Sequence, residues 1–424
     1  MLRSSLGFHT LALSLPLEQV EVPKLISDFK RYSQNTGLIQ MFYVDRKGTY
    51  SKYQPPNGDY RILPLNLQIS YYKKDIGIKW LIHHNTWSDR FRSYTVEAII
   101  NPKILGGISD YITAATLGDM DTAIAGFNLE AKRISTLLKT FDCYCLKRVD
   151  YCLNFYLDEL IPGCNPNLIM NLIKRGDIPH NYEEWGEYDN VSHRKKSSPN
   201  SFYLISKSVN INCYNKYMQL LERSKENANN GYPPISQAVL GAAQGIIRFE
   251  VQCKHHKMNP SSNSVEGSEN DSYNKYKDLL SYETCIDTII YYYRKIIKYG
   301  DWYTLQDAVR KIMSQHYNRQ KEKRLIDVLG LVNQRRSLND AKTAYTGEKL
   351  KAFKRTIKDL ISLNINPVTI PREWGIKHIP NLLNAYFDKV QEEQDLKETE
   401  RFRDECLKEI LANKKERARL FSSH

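Results

Sequence analysis

The chain has 424 residues and a formal net charge of +13, a length that allows two or three domains. No apolar run reaches the ~20 residues that a membrane-spanning helix needs, so the sequence predicts no membrane partner. The basic excess instead favours a polyanionic partner such as nucleic acid.

The amino-acid content adds two expectations. The 29 tyrosines lie among lysines and arginines, a mixture that suits single-stranded nucleic acid because bases stack on aromatic rings while phosphates pair with cations. The alternative is that this composition only reflects an AT-rich genome. The eight cysteines form no CxxC pair, which predicts a reducing, cytoplasmic location. The apolar N-terminal stretch is interrupted by His9, Thr10 and Ser14 and is expected to form a strand.

Residues 1–110 are predicted to form an N-terminal β-rich subdomain. Its strands are expected at Gly7–Leu15, Leu38–Val44, Leu65–Tyr72, Ile78–His83 and Tyr94–Ile100. Turn residues stand between them at Pro55–Gly58 and Asn101–Pro102. An amphipathic helix over Asp121–Phe141 then leads into a strand at Arg148. This succession is typical of an α+β fold in which helices cover one face of an antiparallel sheet.

Residues 111–257 are predicted to form the α+β core. Its further elements are a helix at Asn167–Arg175, a hairpin of Ser201–Ile205 and Val209–Lys216, a helix at Met218–Asn227 and a strand at Ile246–Lys254. The polar segment 176–200 carries the basic run Arg194–Lys196. It is interpreted either as a surface loop near DNA or as a solvated linker.

The remaining third of the chain is predicted to be helical. Residues 258–274 have no apolar period and are expected to be a linker. An all-helical C-terminal domain over 275–389 and a charged helix or tail over 390–424 follow. The helices are expected at Tyr276–Tyr299, Thr304–Tyr317, Lys321–Val332, Ser337–Leu363 and Ile379–Leu411.

Three predicted strands of the core carry polar side chains on one face, because successive residues of a strand point to opposite faces. The polar residues are Arg148, Asp150, Cys152 and Asn154 in one strand, Asn210, Asn212, Tyr214 and Lys216 in the second, and Arg248, Glu250, Gln252 and Lys254 in the third. Each strand alone could simply be amphipathic with a wet face. The repeated Arg-x-Asp/Glu pattern favours neighbouring strands that form one polar wall, since charges in a strand centre are costly to desolvate unless they are paired or bind a ligand.

Such a wall would carry the chemistry of phosphate transfer. Asp150, Glu250 and Asn154 form a set of oxygen ligands that suits Mg²⁺ or Mn²⁺, and such an ion would polarise a phosphate. The four wall cations would bind phosphate oxygens and lower the cost of a phenolate. They are Arg148, Arg248, Lys216 and Lys254.

Tyrosine is the candidate nucleophile of this wall, because its oxygen can form a covalent intermediate. Tyr214 is the first candidate, Tyr203 its chief rival and Tyr217 the third. The alternative is that Tyr214 is an ordinary tyrosine of an amphipathic sheet. No Walker loop, GxSxG or HExxH motif is present, and nothing suggests ATP use.

The polar strands also carry a family resemblance. The segments are RVDYCLNF (Arg148–Phe155), SFYLISKSVNINCYNK (Ser201–Lys216) and IIRFEVQCK (Ile246–Lys254), with weaker support from Val96–Gly107 and Ala352–Pro367. They resemble the replication initiation factor family. This group comprises rolling-circle replication initiators and relaxases of Gram-positive plasmids, integrative elements and filamentous-type phages, relatives of the phage gene II replication proteins.

The resemblance implies a Rep/relaxase-like nuclease that cuts one DNA strand at an origin, with a divalent metal, a 5′-phosphotyrosyl link and a free 3′-OH. It also implies that a host helicase is recruited. By position, Asp150 and Glu250 match the family's metal-binding acids, Arg148 and Arg248 their paired arginines, and Tyr214 the tyrosine of the family's RIYDK-like strand.

Two departures from the family pattern are visible. Asn154 stands where a second aspartate is expected, and Asn212 and Asn215 stand where an arginine and an acidic residue are expected.

The predicted function is therefore site-specific nicking and strand transfer on single-stranded DNA in rolling-circle replication or conjugative transfer. The first alternative is a non-catalytic origin-binding protein, and the second is an RNA-binding protein. The helical region could bind the origin duplex, bind the helicase or make a dimer, and the sequence does not choose among these.

Overall fold

The computed structural model describes residues 5–44, 50–52, 66–71, 75–85, 93–108, 111–185, 187–188, 195–196, 198–229, 233–254, 272–395 and 397. The strands of the N-terminal part are β1 (Leu6–Leu17), β2 (Ile39–Val44), β3 (Tyr50–Lys52), β4 (Asn66–Tyr71), β5 (Ile78–Asn85) and β6 (Ser93–Ile100). They are followed by β7 (Cys145–Tyr156), β8 (Glu183–Glu184), β9 (Glu187–Tyr188), β10 (Lys195–Lys196), β11 (Ser201–Ile205), β12 (Val209–Asn215), β13 (Ile246–Lys254), β14 (Trp302–Tyr303) and β15 (His378–Ile379).

Eleven of the described strands form one antiparallel sheet in the order β3-β2-β4-β5-β6-β1-β7-β13-β12-β11-β8. β1 lies inside this sheet, between β6 and β7, so strands from residues 1–110 and from residues 111–257 belong to the same sheet. β9 pairs with β10 and β14 with β15 in two small ladders. The antiparallel α+β architecture predicted from the alternation is confirmed.

The α-helices are interspersed among the strands before β13 and dominate the chain after it. Those before β13 are Val22–Thr36, Pro102–Leu105, Met120–Ile134, Leu157–Leu160, Pro166–Lys174, Lys216–Asn229 and Gln237–Ala242. Those after β13 are Ser272–Leu279, Tyr282–Ile296, Leu305–Met313, Arg319–Arg335, Leu338–Thr343 and Gly347–Ser362, followed by a helix over 382–395. Among the described residues, no helix has both the length and the hydrophobicity to cross a membrane.

The apolar face of the sheet is buried under helices at both of its halves. On the β4–β6 side, the ring of Trp80 in β5 lies 6.2 Å from that of Phe29 and 5.5 Å from that of Phe127. These two phenylalanines belong to the helices Val22–Thr36 and Met120–Ile134. Burying such large rings provides much of the hydrophobic stabilisation of this half.

The other half of the apolar face is covered by the C-terminal helix Tyr282–Ile296. Its Tyr293 ring lies 5.9 Å from the ring of Phe155 in β7 and 5.7 Å from that of Phe249 in β13. Helices from the predicted C-terminal domain therefore contribute to the same hydrophobic core as the sheet.

The polar face is partly covered as well, which corrects the expectation of helices on one face only. A second, smaller apolar cluster joins Leu220 and Leu240, from the helices Lys216–Asn229 and Gln237–Ala242, to Ile246 of β13. Ile246 points to the same face of the sheet as Arg248 and Glu250, because residues two apart in a strand share a face. This cluster therefore covers one end of the polar face.

Several predicted helices differ from the observed ones. The helix expected over Tyr276–Tyr299 is two helices, Ser272–Leu279 and Tyr282–Ile296. The helix expected from Ile379 begins at residue 382, because His378–Ile379 form β15.

The helix expected over Asp121–Phe141 ends at Ile134. The helix expected over Ser337–Leu363 is two helices, separated by residues 344–346. Gly347 has φ = 55° at the break, a left-handed conformation that glycine adopts without steric cost.

Several expectations concern residues outside the described ranges. These are the turn at Pro55–Gly58, the linker up to residue 271 and the tail beyond residue 397. Residues 272–274 of the expected linker begin a helix. In the segment predicted as a loop, Lys195–Lys196 pairs with Glu187–Tyr188 as a short ladder.

Candidate active site

The three polar strands are neighbours in the sheet, so the polar wall is one continuous surface. β13 lies between β7 and β12. Arg248 is opposite Asn154 on one side and Tyr214 on the other. Gln252, four residues further along β13, is opposite Asp150. β11 extends the wall beyond β12.

One part of the wall, here called the closed part, is a buried network around Arg248. This side chain is 0% exposed. Its Nε donates to Asn154 Oδ1 at 2.6 Å, and its Nη2 donates to the carbonyl of Ile112. Its Nη1 lies 3.7 Å from Glu250 Oε1. A guanidinium buried this completely needs such partners, because an unpaired charge inside a protein is strongly destabilising.

Tyr214 belongs to the closed part. Its hydroxyl donates to Glu250 Oε1 at 2.7 Å, and the residue is only 7% exposed. Burial, followed by the charge of Glu250, raises the pKa of Tyr214 well above its ordinary value. The phenol is therefore held in its protonated form, and little of it is open to a substrate.

Lys216 is also buried in the closed part. Its Nζ donates to Gln219 Oε1 at 3.1 Å and lies 5.6 Å from the centre of the Tyr214 ring. Burial and then the charge of Arg248 lower the pKa of Lys216 well below its ordinary value. Tyr217, the third candidate nucleophile, packs against the apolar cluster around Ile246.

The other part of the wall, here called the open part, contains Arg148 and Asp150. The guanidinium of Arg148 contacts the carboxylate of Asp150 through two bonds, Nε to Oδ1 and Nη2 to Oδ2, both 2.8 Å long. The Arg148 side chain is 31% exposed, whereas Asp150 lies beneath it. Burial raises the pKa of Asp150 to about 7, although the charge of Arg148 opposes the shift. Asp150 therefore changes charge near neutral pH.

Tyr203 lies in the open part, one strand beyond Tyr214. Its hydroxyl donates to Gln252 Oε1 at 3.0 Å and accepts from Asn210 Nδ2 at 2.8 Å. The residue is half-buried. Burial raises the pKa of Tyr203, while the hydrogen bond from Asn210 and the charge of Arg148 act in the opposite direction. Of the two leading candidates, Tyr203 is the accessible one.

Lys254 completes the open part. It is opposite Arg148 in the register of β13 and β7. Its Nζ donates to the carbonyl of Ser206 at 3.0 Å, at the turn of the β11–β12 hairpin. Arg148 and Lys254 thus lie on the open part of the wall, and Lys207 is exposed at the adjoining turn.

Each predicted metal ligand is already hydrogen-bonded to or paired with an arginine in this arrangement. Arg148 holds both oxygens of Asp150, and Arg248 binds the Asn154 amide oxygen and faces Glu250. Across the described ranges, no group of three or more His, Cys, Asp and Glu side chains is placed to hold a metal ion. The side chains as arranged do not fit a divalent ion, and Mg²⁺ or Mn²⁺ binding stays a prediction that requires Arg148 to move.

His9 also faces this region and was not identified from the sequence. Phe8 pairs with Tyr151 and Thr10 with Asp150, so His9 is an extra residue at a bulge of β1. Its Nδ1 lies 2.8 Å from Thr10 Oγ1. Burial and the nearby wall cations lower its pKa well below the ordinary value, which keeps the ring neutral. Alternation alone cannot locate a bulge, and the polar interruption at His9 and Thr10 was the available signal.

The comparisons with known proteins show structural likeness only at a distance. No family model and no curated protein matches the chain. Among solved structures, the chain is similar to a rolling circle replication initiator protein from Geobacillus stearothermophilus, with 8% sequence identity and a TM-score of 0.29. The match covers 69% of this chain and 85% of that one. A TM-score of this size describes a remote likeness and carries no conclusion about function.

Proposed function

We propose that this chain binds single-stranded DNA and cuts one strand by transesterification at a tyrosine, as rolling-circle initiators and relaxases do. The observation that carries the proposal is the composition of the open part of the polar wall. There an accessible phenol, Tyr203, lies within electrostatic range of Arg148 and Asp150, and the pKa of Asp150 is about 7.

Each group has a role in the proposed reaction. The Tyr203 oxygen attacks the phosphorus, a new P–O bond to tyrosine forms, and the bond to the 3′ oxygen breaks. The phenol proton passes to Asp150, since a carboxylate with a pKa near the working pH is suited to general base catalysis. This step requires the Tyr203 hydroxyl to leave Gln252 and Arg148 to release an Asp150 oxygen as it turns to the phosphate. The leaving 3′ oxygen takes up a proton and becomes a free hydroxyl. Arg148 and Lys254 stabilise the charge on the phosphate oxygens.

In this proposal the closed part of the wall is a scaffold. The network of Arg248, Asn154 and Glu250 fixes β7 against β13 and thereby positions Asp150. Tyr214, predicted from the sequence as the first nucleophile, has a carboxylate in contact but is nearly inaccessible. It stays the alternative nucleophile.

A non-catalytic DNA-binding protein is the second candidate function. It is favoured by the observation that Asp150 and Asn154 are already occupied by arginines. Such a protein would keep the basic surface and bind single strands without cutting them.

An adduct assay separates these possibilities. The chain is incubated with Mn²⁺ and random-sequence single-stranded DNA labelled at the 3′ end, and the products are separated under denaturing conditions. A 5′-phosphotyrosyl link would leave the label on the protein. Labelled protein that disappears in Tyr203→Phe supports the proposal, and loss in Tyr214→Phe instead moves the nucleophile. Binding without any labelled protein supports the second candidate.

A further inference from the structure

An exposed tryptophan lies at the edge of the open part of the polar wall. Trp185 follows the short edge strand β8 and is 57% exposed. Its backbone N–H donates to the carbonyl of Tyr203 at 2.7 Å. Its ring meets the Tyr203 ring edge-on, with the centroids 6.2 Å apart and the planes at 83°. The indole is thus held in place by its neighbour while most of it stays in contact with solvent.

The cations that would bind the phosphates of a nucleic acid strand lie further along the polar wall from this ring. Arg148 and Lys254 lie on the same face of the sheet, and Lys207 is exposed at the adjoining hairpin turn. Glu183 is exposed at the start of the edge strand β8, where its carboxylate would repel the phosphates of a strand that left the sheet on that side. A strand would therefore pass from Trp185 inward over Tyr203 towards Arg148.

The size of this path suits a short single strand. Trp185 and Arg148 are separated by four strand intervals, since β8, β11, β12, β13 and β7 are consecutive in the sheet. At about 4.8 Å per interval, the separation across the strands is roughly 19 Å. Tyr203 is in register with Cys152 of β7, and Arg148 lies four residues, or roughly 13 Å, further along that strand, so the path is roughly 23 Å long. Stacked nucleotides rise about 3.4 Å each, so about six or seven would cover it.

We propose that Trp185 is a stacking platform for a base of single-stranded DNA, placed beside the tyrosine that would receive the phosphate. This deepens the proposed function and rests on it for the choice of ligand. In a duplex the faces of the bases are covered by the neighbouring base pairs, whereas a single strand can expose a base face, so the platform selects single strands over duplex. Because stacking tolerates every base, it would position the strand with little sequence preference.

Binding measurements test this without any need for cleavage. The affinity of the full chain for a random-sequence single-stranded DNA is measured by fluorescence anisotropy in the parent and in Trp185→Ala and Trp185→Phe. We expect Trp185→Ala to weaken binding about 5- to 100-fold, and Trp185→Phe to stay within about threefold, because one stacked base is lost in the first and kept in the second. The matched control is Tyr291→Ala, which removes an aromatic ring 49% exposed on the helix Tyr282–Ile296.

A second readout is the intrinsic fluorescence of the protein, to which Trp185 contributes as one of five tryptophans. Single-stranded DNA should quench the parent more than it quenches Trp185→Phe. Unchanged affinity in Trp185→Ala, or an equal loss in Tyr291→Ala, would overturn the proposal. A loss seen only with RNA of the same sequence would also overturn it. A platform that binds DNA in a protein that forms no adduct would keep the inference and remove only the cutting activity.

Discussion

The pH dependence of folding gives a quantitative test of the open part of the wall. Burial raises the pKa of Asp150 from its ordinary value of 3.8 to about 7. Between these values the folded chain holds a proton that the unfolded chain has released, so stability falls as pH rises. The slope is at most about 1.4 kcal/mol per pH unit, and the full difference of about three units corresponds to about 4 kcal/mol. Above about pH 7 the stabilisation from protonated Asp150 is lost, and the free energy of unfolding no longer depends on this group.

His9 acts in the opposite direction, and the experiment must separate the two groups. The pKa of His9 is lowered by burial, so the unfolded chain binds the proton that the folded chain lacks, and stability rises with pH up to about 6.5. Replacing Asp150 by asparagine removes the contribution of this carboxyl to the pH dependence of stability and leaves the contribution of His9. The quantity to follow is therefore the free energy of unfolding of the parent minus that of Asp150→Asn.

Urea unfolding from about pH 5 to about pH 8 measures this difference. We expect it to decline by up to about 1.4 kcal/mol per pH unit until about pH 7 and then to stay constant. A difference that is constant over the whole range would contradict the reasoning. It would mean that the two bonds from Arg148 outweigh desolvation and keep Asp150 ionised.

Other changes test other parts of the wall. Arg248→Met should cost about 3–5 kcal/mol in urea unfolding, because it leaves a carboxylate buried without its counter-charge; a cost below about 1 kcal/mol would place Arg248 outside a stabilising network. Tyr214→Phe should cost about 1–3 kcal/mol of unfolding free energy, because it removes a buried hydrogen bond to Glu250. Tyr203→Phe should cost less, because the Tyr203 side chain is only half-buried. The reverse order would contradict the division into closed and open parts. Single-stranded DNA affinity should fall steeply between low and high salt because phosphate contacts release counterions, and a salt-independent affinity would exclude the wall cations from binding. If Mg²⁺ or Mn²⁺ displaces Arg148 from Asp150, calorimetry should detect metal binding in the parent and not in Asp150→Asn; equal binding in both would place the metal elsewhere.

The sequence was sufficient to predict which side chains share a face. In β7 and β13 the residues alternate over 148–155 and 247–254, because the face that carries Phe155 and Phe249 packs on the helix Tyr282–Ile296 while the other face bears the charges. A slip of one residue would bury Asp150 in the apolar core. The polar faces of these two strands therefore follow from residue order alone.

The sequence ranked Tyr214 before Tyr203 but could not show which of the two is accessible, because accessibility depends on segments far along the chain. Tyr214 is nearly inaccessible in a part of the wall where the carbonyl of Ile112 binds Arg248 and where the helix Lys216–Asn229 packs over the end of β13. None of these contacts has a local pattern. The hydrophobic period of a single strand does not show what lies above its polar face.

Covalent attachment of DNA tests the central claim most directly. Single-stranded DNA labelled at the 3′ end is incubated with the parent, Tyr203→Phe and Tyr214→Phe, and label on the denatured protein is measured. The proposal predicts label on the parent and on Tyr214→Phe and none on Tyr203→Phe. Label that persists on Tyr203→Phe, or a parent that binds the strand and never becomes labelled, would contradict it.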